Sequence, residues 1–271
     1  MPQRGVSISG VCFSDADYAD DLAAIKGSPG DIAETLARIE AASSELGLHI
    51  SWSKTKVAPD LLINGQVVEG VDKLVYLGST VCSIDESRSK QMRRIGLAAA
   101  NMNNLACIWN QARLSLATKL RLYMTLIVPI LLYASETWTV NKVDLDRLQA
   151  FHIRRILGVR WFDKIKNITI FSCTGLPPIG DMLHDSRHSL FGHVVRMDPL
   201  SPANHAFMLC RDISMNRRLP ADLKRPRGRQ RNTWVGQVKK NGGIPISTAW
   251  TRAIDQRLWV RGRDGLKGSA G

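Results

Sequence analysis

Cysteine is sparse in this chain and never forms a metal-binding pattern. The five cysteines, Cys12, Cys82, Cys107, Cys173 and Cys210, are odd in number and widely spaced. No Cys-x-x-Cys and no Cys/His group at zinc spacing occurs, which excludes zinc-finger and zinc-knuckle chemistry for this segment. Buried, reduced thiols in an intracellular protein are the expectation. Long apolar runs are also missing. The longest, Leu126 to Ala134, has nine residues, against about 20 for a membrane-spanning helix. A core helix explains it better, despite Pro129. The N-terminal residues show no basic stretch followed by an apolar one, so a secretory signal is not expected.

Acidic residues run out toward the C-terminus. Residues 1–200 hold 22 Lys/Arg against 20 Asp/Glu, whereas residues 201–271 hold 15 against 4. The net charge of +13 over 271 residues is therefore mostly a property of the tail. Such asymmetry points to a polyanion, most simply nucleic acid, although an acidic membrane surface gives the same signal. The hydrophobic content of 44% excludes a chain disordered by composition. The length suits one large domain or two modest ones.

The densest basic stretch is Lys224-Arg-Pro-Arg-Gly-Arg-Gln-Arg231. Pro226 and Gly228 oppose regular helix there. Guanidinium groups bind phosphate bidentately and keep their charge, so Lys224, Arg225, Arg227, Arg229 and Arg231 are candidate nucleic-acid contacts. A nuclear-targeting signal has the same composition, and a nuclear location is expected. Beyond it, Trp234 to Val260 is amphipathic, with a last helix expected over Ala249 to Trp259, capped by Ser247-Thr248.

Three helices are expected in the middle of the chain, over Ser87 to Trp109, Leu114 to Leu132 and Val143 to Leu157, each with apolar residues at spacings of three and four. Pro129 should bend the second or end it early. Arg88, Lys90, Arg93 and Arg94 crowd the start of the first helix, where cations oppose the dipole. A nearby phosphate would relieve that, making Lys90, Arg93 and Arg94 candidates for gripping a template–primer backbone. Pairing with Asp85 and Glu86 on a solvated face is the alternative. Arg154 and Arg155 suit a helix C-terminus and need no ligand. Trp109, Trp138 and Trp161 are expected to pack. His184, His188 and His193 lack the glutamate of the zinc-protease arrangement, so structural roles are expected.

The N-terminal part is different in character. Apolar residues flank Tyr18-Ala-Asp-Asp21, which places Asp20 and Asp21 at the tip of a β-hairpin. Adjacent carboxylates repel unless a cation neutralises them. Mg²⁺ prefers hard oxygen ligands, usually one or two carboxylates plus substrate phosphates. Two such ions about 4 Å apart clamp the attacking and leaving oxygens of a phosphoryl transfer. A solvated surface turn is the plainer alternative. An amphipathic helix, Pro29 to Leu46, follows. Strands are then expected over Leu48 to Val57 and Leu74 to Val81, with Leu61 to Gly65 leading into a turn at Asn64-Gly65.

Tyr-Ala-Asp-Asp, Gly47-Leu-His-Ile-Ser-Trp-Ser-Lys-Thr-Lys-Val57 and Tyr76-Leu-Gly-Ser-Thr-Val81 resemble three successive palm motifs of the reverse transcriptases of non-LTR (LINE-like) retrotransposons. Pro129 to Trp138, Arg154 to Gly158, Phe191 to Asp198, and Arg225 to Arg229 with Trp234 are similar to segments beyond the palm, so the resemblance covers nearly the whole chain. It implies an α+β, mainly α fold: a small antiparallel palm-remnant sheet over residues 1–85, a helical thumb-like region over 86–200, and a basic tail with terminal helices over 201–271.

It implies that Asp20 and Asp21 hold Mg²⁺, and that Lys54 (or Lys56) approaches the incoming nucleotide. It also implies that Tyr76 and Gly78 belong to the turn that steadies the primer 3′ end, with an RNA template and a DNA primer as partners. Family members carry fingers and a third metal-binding aspartate upstream, and Asp15 and Asp17 lie too near to replace it. The chain is thus expected to be a fragment of an RNA-directed DNA polymerase that does not polymerise alone. The alternative is a non-catalytic nucleic-acid-binding remnant.

Overall fold

The computed structural model describes residues 6–8, 11–13, 15–18, 21–57, 61–63, 66–71, 73–82, 87–154, 163, 165–215 and 233–259. They are α+β with helix predominant, and every strand pair is antiparallel. They form two compact units, the first within residues 1–86 and the second from Ser87 onward.

The first unit is a succession of hairpins with one helix between the second and the third. β1 (Val6–Ile8) pairs with β2 (Val11–Phe13), and β3 (Asp15–Tyr18) with β4 (Asp21–Ala24). α1 (Pro29–Ser44) starts where Ser28 Oγ accepts the Asp31 amide at 3.2 Å, with Pro29 at the first position, where no donor is lost. It ends at Ser44, two residues before the expected Leu46. The Ser43 carbonyl accepts the Leu46 and Leu48 amides, and Gly47 takes the left-handed conformation that closes the end.

The strand expected over Leu48 to Val57 is absent. The Glu40 carboxylate takes the Ile50 amide at 2.7 Å, and the Ser51 carbonyl takes those of Lys54 and Thr55 at 3.0 Å. With its donors satisfied locally, this segment joins a ladder only at Val57, which bridges Gly70. Leu36, Val57 and Val68 form a small core with Ile32, Ile50 and Trp52.

β5 (Leu61–Ile63) pairs with β6 (Gln66–Val68), and β7 (Lys73–Tyr76) with β8 (Ser79–Cys82). The single strand expected over Leu74 to Val81 is thus a hairpin. Its turn residues, Leu77 and Gly78, have φ of 47° and 71°. Positive φ at both positions matches the strand twist. Leucine is unusual there, so the local pattern reads as one strand and only the motif resemblance points to a turn at Tyr76 to Gly78.

The second unit is helical. α2 (Ser87–Asn104) breaks at Leu105 into the short α3 (Ala106–Trp109). α4 (Leu116–Leu122) widens into a π-helical turn, Tyr123–Ile127, before α5 (Val128–Leu131). Pro129 follows that turn at a first-turn position, so its missing N–H costs little. α6 (Lys142–Arg154) and α7 (Asn167–Thr174) lead to α8 (Ile179–Val195), the central helix of the unit. Gln149 Oε1 receives the Ile179 amide at 2.9 Å and so caps α8 from α6.

α9 (Pro202–Ser214) returns Asn204 to the far end of α8, where its Nδ2 donates to the Val194 carbonyl at 2.9 Å. α10 (Trp234–Gly242) and α11 (Ile246–Ile254) complete the unit. α11 begins at Ile246, after Pro245, rather than at Ala249. Asp255 starts a separate turn, its carboxylate accepting the Arg257 amide at 2.8 Å, and that turn ends on Trp259.

Two cores meet along α8. One gathers Met102, Tyr123, Ile127, Leu131, Trp138, Leu148 and Leu183. The other gathers Phe191, Val195, Val235, Val238, Ile246 and Trp259. Gln237 ties the C-terminal helices to the body. Its side chain receives the Val140 amide at 3.2 Å and donates to the Val140 carbonyl.

Candidate metal hairpin and nucleic-acid interface

Asp21 opens β4 directly opposite Tyr18, and both are exposed. Asp20 lies outside the described residues. The Tyr76 hydroxyl donates to the Asp21 carbonyl at 3.5 Å. Tyr76 immediately precedes the Leu77-Gly78 turn, so the fold brings Asp21, Tyr76 and Gly78 to one place from two hairpins 55 residues apart. The hydrogen bond is long and adds little stability; it marks the two tips as lying within reach of each other.

Lys56 is committed to Glu69. Lys54 sits exposed on the turn after Ser51, and no described residue pairs with it. That separates two lysines the sequence left open: Lys54 is the one with its charge available. No described hydrogen bond or ion pair joins it to Asp21. Among the described residues no group of three His, Cys, Asp or Glu side chains could hold a metal. A Mg²⁺ that also takes substrate phosphates needs only one or two carboxylates, so an exposed Asp21 beside Asp20 in sequence fits it.

The basic start of α2 is partly engaged within the fold. The Arg94 guanidinium lies 4.1 Å from the Tyr133 ring centroid, a cation–π contact. Burial, and then Arg93 beside it, hold its pKa below the ordinary value. Arg88 reaches to 4.0 Å from the buried Asp144, which Arg147 meets at 3.1 Å. Arg93 is exposed and Lys90 half-buried. Asp85 and Glu86 lie outside the described residues.

On the inner face of α2, Gln91 is 1% exposed and neither amide atom has a hydrogen-bond partner among the described residues. Gln91→Leu removes two orphaned polar atoms at similar volume. It is expected to raise stability by about 1–3 kcal/mol. A lowered urea midpoint would show instead that the amide is satisfied in solution.

Lys224, Arg225, Arg227, Arg229 and Arg231 lie outside the described residues. Their segment connects α9 to α10, and both helices pack on α8. The Trp234 indole, just after it, donates to the Glu136 carbonyl at 2.6 Å. Trp138 is buried, and the Trp109 indole donates to the Met102 carbonyl at 2.8 Å. Both Trp109 and Trp138 are packing residues, as expected; Trp161 lies outside the described residues.

Sequence reasoning gives His188 a structural role but misses its partner. Its ring stacks on Trp259 with centroids 3.7 Å apart and planes 4° from parallel. The Trp259 indole donates to the His188 carbonyl at 2.9 Å, and His188 Nε2 meets the Trp259 carbonyl at 3.1 Å. A glycine one turn further along α8, Gly192, is the available hint. Arg187, just before His188, carries no local signal of its burial.

No helix among the described residues is long and apolar enough to cross a membrane. A scan against protein-family models finds no match, and no solved structure matches the chain. The chain is similar to a protein of Caenorhabditis elegans described as transposon-derived, with 27% identity over 166 residues. The match covers 56% of this chain and 59% of the relative, so the chain spans somewhat over half the length of the protein it resembles. The likeness links the chain to a transposon.

Proposed function

We propose that the chain is part of an RNA-directed DNA polymerase of a non-LTR retrotransposon, and that it contributes a metal-holding hairpin and a basic nucleic-acid grip. The observation that carries this reading is the Tyr76 hydroxyl on the Asp21 carbonyl. Two motifs of the resemblance, far apart in sequence, meet at their tips. Asp20 and Asp21 would hold Mg²⁺, which when bound neutralises phosphate charge during nucleotidyl transfer. Lys54, unpaired among the described residues, would meet the incoming triphosphate. Tyr76 and Gly78 would shape the turn beside the primer end. Lys90, Arg93 and the tail arginines would follow the backbone of the template–primer duplex. Transposon ancestry supports the same reading.

Localised hydroxyl-radical cleavage tests the metal site without requiring activity. With Fe²⁺ in place of Mg²⁺ and an RNA–DNA duplex present, the chain is expected to be cut near residues 18–24 and 74–80. Mg²⁺ should compete the cutting away, and Asp20→Asn with Asp21→Asn should abolish it. Cleavage that ignores both changes removes the metal from the account.

The grip is tested by duplex binding across a salt series. Changing Arg225, Arg227, Arg229 and Arg231 to alanine is expected to reduce the log–log salt slope by about 3–4, near one unit for every phosphate no longer neutralised. An unchanged slope would take the tail out of the interface.

A further inference from the structure

A cavity of about 190 Å³ opens within the second unit between α8, α10, α11 and the turn that ends on Trp259. Its polar wall includes His184, Arg187, His188 and Arg252, and among the described residues no aspartate or glutamate lines it. Arg187 is 5% exposed. Its Nε donates to the Trp138 carbonyl at 3.2 Å, and no other acceptor among the described residues meets the two remaining nitrogens. No described carboxylate pairs with it. Burial alone pulls its guanidinium below the ordinary pKa range. Arg252, at the exposed mouth, likewise has no acidic partner among the described residues.

A buried guanidinium without a counter-charge is costly, because desolvation is not offset by attraction. Folding retains it here on the inner face of the central helix. Two uncompensated guanidinium groups match a dianion better than a monoanion, and a phosphate monoester carries about two negative charges at neutral pH. The remaining wall, including Val238, Ile244 and Leu258, is apolar and offers an organic body somewhere to sit.

We propose that this cavity binds a phosphate monoester, with its phosphate on Arg187 and Arg252 and its organic body against the apolar wall. The inference concerns the second unit alone and does not depend on the hairpin reading. The shared chemistry has two sources, a small phosphorylated molecule or the phosphorylated end of a nucleic acid.

Calorimetric titration of the whole chain with phenyl phosphate, inorganic phosphate and a dinucleotide with or without a 5′-phosphate tests it. Phenyl phosphate should bind more tightly than inorganic phosphate. Arg187→Met, which keeps the stem and removes the charge, should weaken it by about tenfold or more, the loss of a charged hydrogen bond. That variant is expected to fold at least as well, since an isolated buried charge is gone. Arg252→Gln, at an exposed position, should weaken binding severalfold and guards against a folding artefact. A gain from the 5′-phosphate that Arg187→Met abolishes identifies a nucleic-acid end; phenyl phosphate binding without such a gain identifies a small molecule. No phenyl phosphate binding at millimolar concentration, or undiminished binding by both variants, would overturn the site.

Discussion

Gly192→Ala is expected to lower stability by about 1–3 kcal/mol, the usual cost of overpacking. In an isolated helix the same change would help by about 1 kcal/mol. Here a Cβ would fall 2.3 Å from Trp259 Nε1 and 2.4 Å from its Cδ1. The indole cannot step aside: its N–H is held by the His188 carbonyl, its face by the His188 ring, and its edge by Phe191 at 5.3 Å between centroids. Truncating the indole, Trp259→Ala, should itself cost about 3–5 kcal/mol. Once it is gone, the close contact left at Gly192 is Arg196 Nη1 at 3.0 Å, the far end of a flexible side chain that can shift. Adding Gly192→Ala to Trp259→Ala should then be neutral or slightly stabilising. A urea-unfolding double-mutant cycle reads this coupling. Equal costs of Gly192→Ala in both backgrounds would mean that the indole does not rest against α8.

His152→Ala is expected to cost about 2–4 kcal/mol, because it orphans the buried Tyr123 hydroxyl and removes the part-buried bond to the Pro177 carbonyl. His152 is fully buried. Its Nε2 lies 3.1 Å from the Pro177 carbonyl and its Nδ1 3.1 Å from the Tyr123 hydroxyl. A carbonyl only accepts, so the proton sits on Nε2 and Nδ1 accepts from Tyr123. Neutral imidazole satisfies both neighbours. Burial raises the Tyr123 pKa, which keeps its hydroxyl a donor.

Burial likewise lowers the His152 pKa below its ordinary value of 6.5, against a smaller opposing effect of the Pro177 carbonyl. As pH falls, the unfolded chain therefore takes up this proton before the folded chain does. The His152 contribution is complete above about pH 6.5 and declines below it. Urea midpoints measured from pH 8 to pH 5 should fall on the acid side, with a shallower fall in His152→Ala. An identical slope in the two proteins would assign the acid sensitivity elsewhere. Tyr123→Phe in the His152→Ala background should recover part of the loss, since one orphan is removed.

Helical periodicity is a good guide where apolar residues recur along one face. α1, α2, α6 and α8 lie where that spacing, or the motif resemblance, places helix, with ends moved by capping residues. The sequence misleads where another side chain or an unusual backbone angle intervenes. Leu48 to Val57 has the composition of a strand, yet Glu40 and Ser51 occupy its amides. Leu74 to Val81 alternates like one strand, yet Leu77 accepts the positive φ that folds it back. The last helix begins three residues before the expected Ala249, because Pro245 presets the entry.

The sequence by itself determined the charge asymmetry and the hairpin bearing Asp21, because these depend on composition and on neighbours a few residues apart, while its motif resemblance carried the α+β class. Only the tertiary structure decided what those elements meet. Tyr76 finds Asp21 across 55 residues, His188 finds Trp259 across 71, and Gln237 finds Val140 across 97. Each pairing follows from how helices and hairpins exclude water together, and local spacing carries no record of that.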